Sequence, residues 1–306
     1  MKCAVIGLGV QGKKRARIAG ADVSITVDSV DPSARFRRIE DAPLADFDAA
    51  LVCTPDGAKV EILRYLLAHK KHVLVEKPLT ADHTVLRELG ALSRAHHVAL
   101  YTAYNHRFEP HFVHMRGVIQ SGRLGKLHLL RWFYGNGTAR EVQKSPWRDA
   151  GAGVLDDLGS HILDTLHFFF GEPVSGLTSW SFDRVENKSF DHVLFGRVHA
   201  TDRTPALVLE ATMLSWRNTF TLDVIGERGS AHVNGLCKWG PSVFTVRDRI
   251  LPSGKPNEES VTLEQPDPTW ALEYAHFQKL CATGGSNVEN DIGIAEELRR
   301  LLEQTK

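Results

Sequence analysis

The chain has 306 residues, 42% of them hydrophobic and 24% charged, enough to bury a full core and, on the usual scale, to build two domains of roughly 150 residues each. Lysine plus arginine and aspartate plus glutamate both number 37, which leaves no basic field for nucleic acid and no acidic tail. The longest apolar stretches, such as 98–103, fall far below a membrane span, so small neutral or modestly charged partners fit best.

The chain enters a strand at once. Residues 2–6 form a short apolar run with no basic stretch, long apolar core or cleavage site ahead of it, so a cytoplasmic location is expected. Gly7-Leu8-Gly9-Val10-Gln11-Gly12 follows directly and leads into the helix-compatible stretch 13–19. Glycine at these positions permits a tight turn, lets backbone approach a pyrophosphate and packs helix on sheet, leaving helix N–H groups to meet the anion. A second apolar run, 23–27, ends at Asp28, where a carboxylate can accept hydrogen bonds from the adenosine ribose. The same carboxylate repels a 2′-phosphate, favouring NAD over NADP, although Arg35, Arg37 and Arg38 lie close enough in sequence to grip one.

Further strand signals cover 47–53, stopped by Thr54-Pro55, then 72–75, stopped by Glu76-Lys77-Pro78, and 98–104. Amphipathic helix patterns fill 57–69 and 81–96, while 32–46 is short and charged, with room for little more than a turn. This alternation predicts a doubly wound parallel sheet. Lys77 falls at its carboxyl edge, where such sheets place ligands, and Pro78 biases it away from helical geometry. A lysine there can donate to the oxygen of an alcohol or ketone, and beside a cationic nicotinamide its pKa falls. A solvated strand-end lysine is the plainer reading of Lys77 taken alone.

Past residue 157 the pattern changes. One helix reaches about 170, and alternating runs near 177–185, 191–199, 205–214, 218–225, 229–233 and 242–250 predict a mostly antiparallel sheet. Helices over about 269–283 and 287–304 close the chain. The expected domains are residues 1–120 for the dinucleotide and 121–306, an α+β unit with a large open sheet, for substrate and oligomerisation. The junction is expected within 104–126, with the terminal helices packing back on the first domain. Cys3, Cys53, Cys237 and Cys281 are widely spaced without a C-x-x-C pair, so free thiols and no metal are expected.

The stretch Gly151 to Asp164 carries the acid/base chemistry. Asp157 and His161 stand four residues apart after a glycine-bearing turn, which on an α-helix puts both on one face. An aspartate here is often a cap and a helix histidine often a packed core residue. The apolar stripe Leu158, Ile162, Leu166, Phe169 and Phe170 leaves Asp157, His161 and Asp164 off its centre. An imidazole with a pKa of about 6.5 suits proton exchange with a hydroxyl at neutral pH.

Taken in order, Gly7-x-Gly9-x-x-Gly12, Cys53-Thr54-Pro55, residues 72–79 ending Glu76-Lys77-Pro78-Leu79, Tyr104-Asn105-His106-Arg107-Phe108, and Gly151-x-Gly153-x-x-x-Asp157-x-Gly159-x-His161-x-x-Asp164 resemble the Gfo/Idh/MocA oxidoreductase family. The resemblance covers the first 170 residues strongly and the rest in layout. It implies a Rossmann domain followed by a domain with a large open sheet, and hydride transfer at a secondary carbon of a sugar, inositol, related polyol or nucleotide-sugar. Lys77, Asp157 and His161 take the catalytic positions. Gly7, Gly9, Val10, Gln11, Gly12, Asp28, Thr54, Pro55, Glu76, Lys77 and Asn105 take those of cofactor contacts. Trp147-Arg148 resembles a family W-R element that touches substrate or nicotinamide, or is a plain surface loop. Lys59 departs from the pattern, standing where many members carry histidine, and Ala152 interrupts a glycine run.

Two rivals share this architecture: an NAD-dependent glycosidase that oxidises its sugar transiently, and a non-enzymatic NAD- or sugar-sensing protein, against which an intact Lys77, Asp157 and His161 argue. Trp180, Phe182, Trp216 and Phe220 either stack on sugars or serve as core and subunit contacts. The open sheet face needs cover, so a homodimer or homotetramer is expected.

Overall fold

The computed structural model of the chain describes residues 1–201 and 203–305. The backbone forms two compact units, Met1–Asn105 with Thr269–Glu296, and His106–Pro268 with Glu297–Lys306.

In the first unit, β1 (Cys3–Ile6), β2 (Val23–Val27), β3 (Ala49–Val52), β4 (His72–Glu76) and β5 (Leu100–Ala103) make a parallel sheet in the order β2-β1-β3-β4-β5. The crossover helices are α1 (Val10–Ala19), α2 (Asp56–Ala68) and α3 (His83–His96). Strands β1, β3 and β5 are buried along their whole length, as both-face coverage of a parallel sheet demands. The connection from β2 to β3 contains no α-helix, only the single turns Ile39–Asp41 and Leu44–Asp46, as its short, charged sequence implied. The strand order reverses beside β1, and there the loop after β1 meets α1, the switch-point position of open α/β sheets.

The second unit begins with α4 (Pro110–Gln120), whose proline occupies the first turn, where a missing N–H costs nothing. It continues through β6 (Leu127–Gly135), the short α5 (Ala139–Gln143) and α6 (Ser160–Phe170). The strands β7 (Thr178–Asp183), β8 (His192–Arg197), β9 (Ala206–Thr212), β10 (Thr219–Gly226), β11 (Gly229–Asn234), β12 (Ser242–Ile250) and β13 (Gly254–Leu263) follow. With β6 they form an eight-stranded sheet, β13-β12-β11-β10-β6-β9-β8-β7. The β6–β9 pair is parallel and the pairs around it antiparallel. An aromatic cluster of Phe112 from α4, Trp132 from β6, Phe169 from α6 and Phe220 from β10, with ring centres 5.4 to 6.4 Å apart, packs both helices on one sheet face. Truncating any of these rings to alanine removes about 3–5 kcal/mol of stability. Phe220 is thus core and not a sugar platform, whereas Trp216 is fully exposed.

Helices α7 (Thr269–Thr283) and α8 (Val288–Glu303) complete the chain. In the first unit, Tyr274 and Phe277 of α7 cluster with Val5, Leu8, Leu51 and Tyr101. Val288 and Ile292 of α8 join Leu86, Leu89 and Val98 in a second cluster. A Cβ at Gly90 of α3 would sit 2.7 Å from the Val288 side chain, so glycine there sets the close approach of α3 and α8.

Four elements lack the sequence signal that betrays the others: α4, β6, α5 and β13. In β6 apolar residues run almost continuously and blur the alternation that its burial nevertheless follows from Leu130 to Tyr134. β13 is exposed nearly throughout, an edge strand with no apolar face to announce it. The turn carrying Asp157 also differs from expectation. Leu155–Gly159 is a π-helical turn, and the α-helix begins only at Ser160, so the four-residue step from Asp157 to His161 crosses two helix geometries. The burial stripe is broader than expected as well, since Ser160 through Leu166 are all buried.

Candidate functional site

The nucleotide loop is shaped by three glycines with different reasons to be glycine. Gly7 has φ +89°, and a Cβ there would lie 2.7 Å from the Cys53 carbonyl oxygen. A Cβ at Gly12 would lie 1.7 Å from the carbonyl oxygen of Gly7, so α1 can start this close to the loop only without a side chain. At Gly9 a Cβ would meet nothing within 4 Å. The backbone there is bare on its outer side, and Val10 and Gln11 open the helix exposed, with its first N–H groups outside the helical ladder.

Asp28 is fixed beside this loop. Its Oδ2 accepts the Leu8 N–H at 2.6 Å, and its Oδ1 accepts those of Val30 and Asp31 at 2.8 Å. Burial works against its charge, but these N–H groups win and hold the carboxyl below its ordinary range. The neighbouring cations are exposed and make surface contacts. Arg37 donates to the carbonyls of Asp28 and Asp31, Arg38 pairs with Glu40, Arg35 lies over the Phe36 ring, and Lys13 pairs with Asp31. Open backbone at Gly9 beside a pinned carboxylate fits a dinucleotide. Thr54 adds a buried Oγ1 that makes no hydrogen bond among the described residues, next to the carbonyl that closes on Gly7. Pro55 is the residue from which α2 starts.

At the end of β4, Glu76 is buried and accepts Arg15 Nε at 2.7 Å, while Arg15 Nη1 lies 2.7 Å from Glu273 of α7. Arg15 therefore ties α1, β4 and α7 together inside this unit. Glu76 has at least this structural task, whatever part it plays toward a cofactor. Lys77 follows, half-buried, joined to Pro78 by a cis peptide. Lys59, which the sequence presents as local variation, is buried, and its Nζ donates to the carbonyls of Glu76 at 2.6 Å and Pro78 at 2.7 Å. It also pairs with Asp56 at 2.7 Å. Asn105, at the end of this unit's first segment, donates to Thr269 Oγ1 at 2.7 Å.

In the second unit, Gly151 and Gly153 have φ of +63° and +56°, and a Cβ at Gly153 would lie 2.2 Å from the Phe190 carbonyl oxygen. This tight turn delivers the π-helical segment. Asp157 is half-buried and His161 is 6% exposed. Asp164 is fully buried and receives Arg107 through both carboxylate oxygens at 2.7 to 3.0 Å, which makes it the anchor of the 106–108 turn. The His161 ring stacks on His106, centres 3.9 Å apart and 17° from parallel. His106 Nε2 lies 3.4 Å from Tyr134 Oη, and Tyr134 Oη accepts Lys238 Nζ at 3.0 Å. Sequence reasoning missed His106, Tyr134 and Lys238 as neighbours of this site. His106 was visible inside the 104–108 motif, whereas Lys238, on the single turn Cys237–Trp239, carries no motif at all. Trp147 is 62% exposed, and Arg148 lies beside it in the same irregular stretch. Asp149 next to them is buried and accepts the Ser189 N–H and Oγ at 2.9 and 3.0 Å.

A parallel nucleotide-binding sheet with this glycine loop and carboxylate, followed by a large open sheet, defines a dinucleotide-binding two-domain protein. Residues 5–104 match the oxidoreductase family's NAD-binding Rossmann fold, and residues 112–232 match the GFO/IDH/MocA C-terminal domain. The chain belongs to the GFO/IDH/MocA oxidoreductase family. It is 29% identical over 196 residues to the uncharacterized oxidoreductase YdgJ of Escherichia coli, covering 62% of this chain and 55% of that one. It is 28% identical over 134 residues to inositol 2-dehydrogenase of Rhizobium meliloti, covering 43% and 39%. The fold also matches that of levoglucosan dehydrogenase in complex with NADH, with a TM-score of 0.83 at 18% identity over 99% of this chain and 96% of the other. The chain spans about a third to three-fifths of the curated relatives it matches. Among the described residues no helix is long and apolar enough to cross a membrane.

Proposed function

We propose that this protein is an NAD-dependent dehydrogenase or reductase acting on a secondary alcohol or ketone carbon of a sugar, inositol or nucleotide-sugar. The observation that carries the reading is the nucleotide loop: Gly7 and Gly12 closed against backbone, Gly9 open, and Asp28 pinned beside them as a carboxylate. The inositol and levoglucosan dehydrogenases among its relatives support a polyol or sugar as substrate.

In this reading Gly7 to Gly12 and Asp28 hold the diphosphate and ribose, with Thr54, Pro55, Glu76 and Asn105 along the same edge. NAD supplies the hydride acceptor, and the chain supplies orientation and proton traffic. Lys77 donates from its ammonium to the substrate oxygen. His161 takes the hydroxyl proton on oxidation and returns it on reduction, and Asp157 orients the imidazole and offsets its charge. Trp147 and Arg148 serve as substrate contacts. The sheet face opposite α6 presents Leu129, Phe133 and Ile225 among the charged Arg131 and Asp223, which supports a homodimer or homotetramer formed through it.

The test is a screen of sugars, inositols and nucleotide-sugars in both directions, following reduced nicotinamide by absorbance with NAD and with NADP. Turnover with NAD is expected, and Lys77→Ala and His161→Ala should each lower kcat by about 100-fold or more while NAD affinity holds. Near-normal turnover in either variant on the true substrate would remove the assigned roles. Release of an aglycone with no net change in nicotinamide would replace the dehydrogenase with a glycosidase.

A further inference from the structure

The stacked imidazoles of His106 and His161 pose a charge problem. Their centres are 3.9 Å apart and both rings are buried, so two imidazolium ions at this distance would repel strongly. If His161 is to accept a proton, His106 must stay neutral. The groups behind His106 supply the means.

Lys238 has three donors and no acceptor. Its Nζ lies 3.0 Å from Tyr134 Oη, so it must donate to the phenol oxygen. Tyr134 is buried, and its own proton then needs an acceptor, which His106 Nε2 provides at 3.4 Å. An imidazole nitrogen that accepts carries no proton. We propose that Lys238, acting through Tyr134, holds His106 as the neutral tautomer with its proton on Nδ1, and that this neutral ring is the surface on which His161 takes up charge during turnover. The inference rests on His161 being the proton acceptor of the proposed reaction.

A cation over the face of a neutral aromatic ring is attracted to it, so the lock turns a repulsive neighbour into a supporting one. Among the described residues of this unit, Arg107, Glu109, Asp157 and Asp164 stand within four positions of one ring or the other in sequence, Arg107 and Asp164 as an ion pair, and Asp267 and Asp157 act on the Lys238 ammonium. Crowding around the Lys238 ammonium works against its charge. Tyr134 and the carboxylates of Asp267 and Asp157 outweigh this and hold its value above the ordinary lysine range, so the donor at the head of the chain is present at neutral pH. Lys238, Tyr134 and His106 are positioning residues in this scheme, acting only through His161.

Histidine-labelled nitrogen NMR over roughly pH 5 to 8 tests it on the full chain. The wild type should show His106 Nε2 unprotonated throughout, with His161 titrating alone. Tyr134→Phe should let His106 take a proton and lower the His161 titration by about 1 unit, and the matching limb of kcat/KM should move with it. Lys238→Met, which keeps the length of the side chain, should release the same tautomer preference and serves as the readout if Tyr134→Phe does not fold. A wild-type His106 protonated at Nε2, or unchanged ring titrations in the variants, overturns the lock even where His161→Ala is inactive. Full turnover in His161→Ala overturns the catalytic use of the lock through its underlying reading, and the His106 nitrogen shifts tell the two failures apart.

Discussion

Lys59 donates its ammonium to the carbonyl oxygen of Glu76 at 2.6 Å, and a second bond at 2.7 Å reaches the carbonyl of Pro78. The two carbonyls flank Lys77, so one buried cation clamps the backbone on both sides of the proposed catalytic lysine. Lys59→Met keeps the length of the side chain but strands both acceptors. Each stranded acceptor costs about 1–3 kcal/mol. A urea unfolding midpoint should fall accordingly, and kcat should fall further than the KM for NAD rises. Wild-type stability and turnover in that variant would mean that the strand end holds its own shape.

Arg107 and Asp164 make a second buried relationship with the opposite sign of charge at its core. Asp164 is fully buried, and Arg107 covers it in a bidentate pair. Arg107→Ala takes the bidentate cation from a fully buried carboxylate and should cost about 3–5 kcal/mol, read as a drop in thermal midpoint. The double variant Arg107→Ala, Asp164→Asn should recover part of that loss, because the buried charge that Arg107 balanced is gone. Failure of the second change to restore any stability would count against the ion pair as the cause.

The first unit was legible because its signals are local. Each of β1, β3 and β5 is a short apolar run ended by a turn residue, and the glycine loop and Asp28 sit at the sheet's carboxyl edge, where alternation of strand and helix puts them. The second unit was legible only in outline. β13 exposes almost every residue, so no apolar face marks it, and the π-turn at Leu155–Gly159 depends on hydrogen bonding that no residue pattern encodes. The Asp157 and His161 spacing was visible, but the surroundings of His161 were not. His106 stacks on it, and Tyr134 and Lys238 stand in turn behind His106, from three elements distant in sequence, and the role of Asp164 became clear only through Arg107. Lys59 shows the same limit in the first unit: a departure from a motif looked like drift until its two carbonyl partners appeared.

Glu109 gives stability a specific pH dependence. Its carboxyl is buried against the Cys237 thiol at 2.9 Å. Burial, reinforced by Asp267, pushes its value above the ordinary 4.5 against the hydrogen bonds from Cys237. In the unfolded chain the group ionises first, so its contribution to stability is full below 4.5 and is lost as pH rises through the folded value. Subtracting the urea midpoints of Glu109→Gln from those of the wild type should therefore give a difference that turns against the wild type across that window. A flat difference would show that burial leaves the carboxyl's titration unshifted, and a difference turning in favour of the wild type that folding keeps it ionised.

Gly9 and Gly12 separate cofactor binding from folding. A Cβ at Gly9 meets nothing within 4 Å, and its φ of −65° suits any residue. Gly9→Ala should keep stability within about 0.5 kcal/mol, yet weaken NAD by about tenfold or more, a loss of roughly 1.4 kcal/mol, because the new methyl stands where backbone must approach the diphosphate. At Gly12 the same methyl would lie 1.7 Å from the Gly7 carbonyl oxygen. Gly12→Ala must push α1 off the loop and should cost about 3 kcal/mol of stability along with the NAD site. Titration calorimetry with NAD beside thermal unfolding reads both quantities for both variants. If Gly9→Ala bound NAD like the wild type, the diphosphate would have to run elsewhere, and the loop would be a packing turn with no cofactor above it.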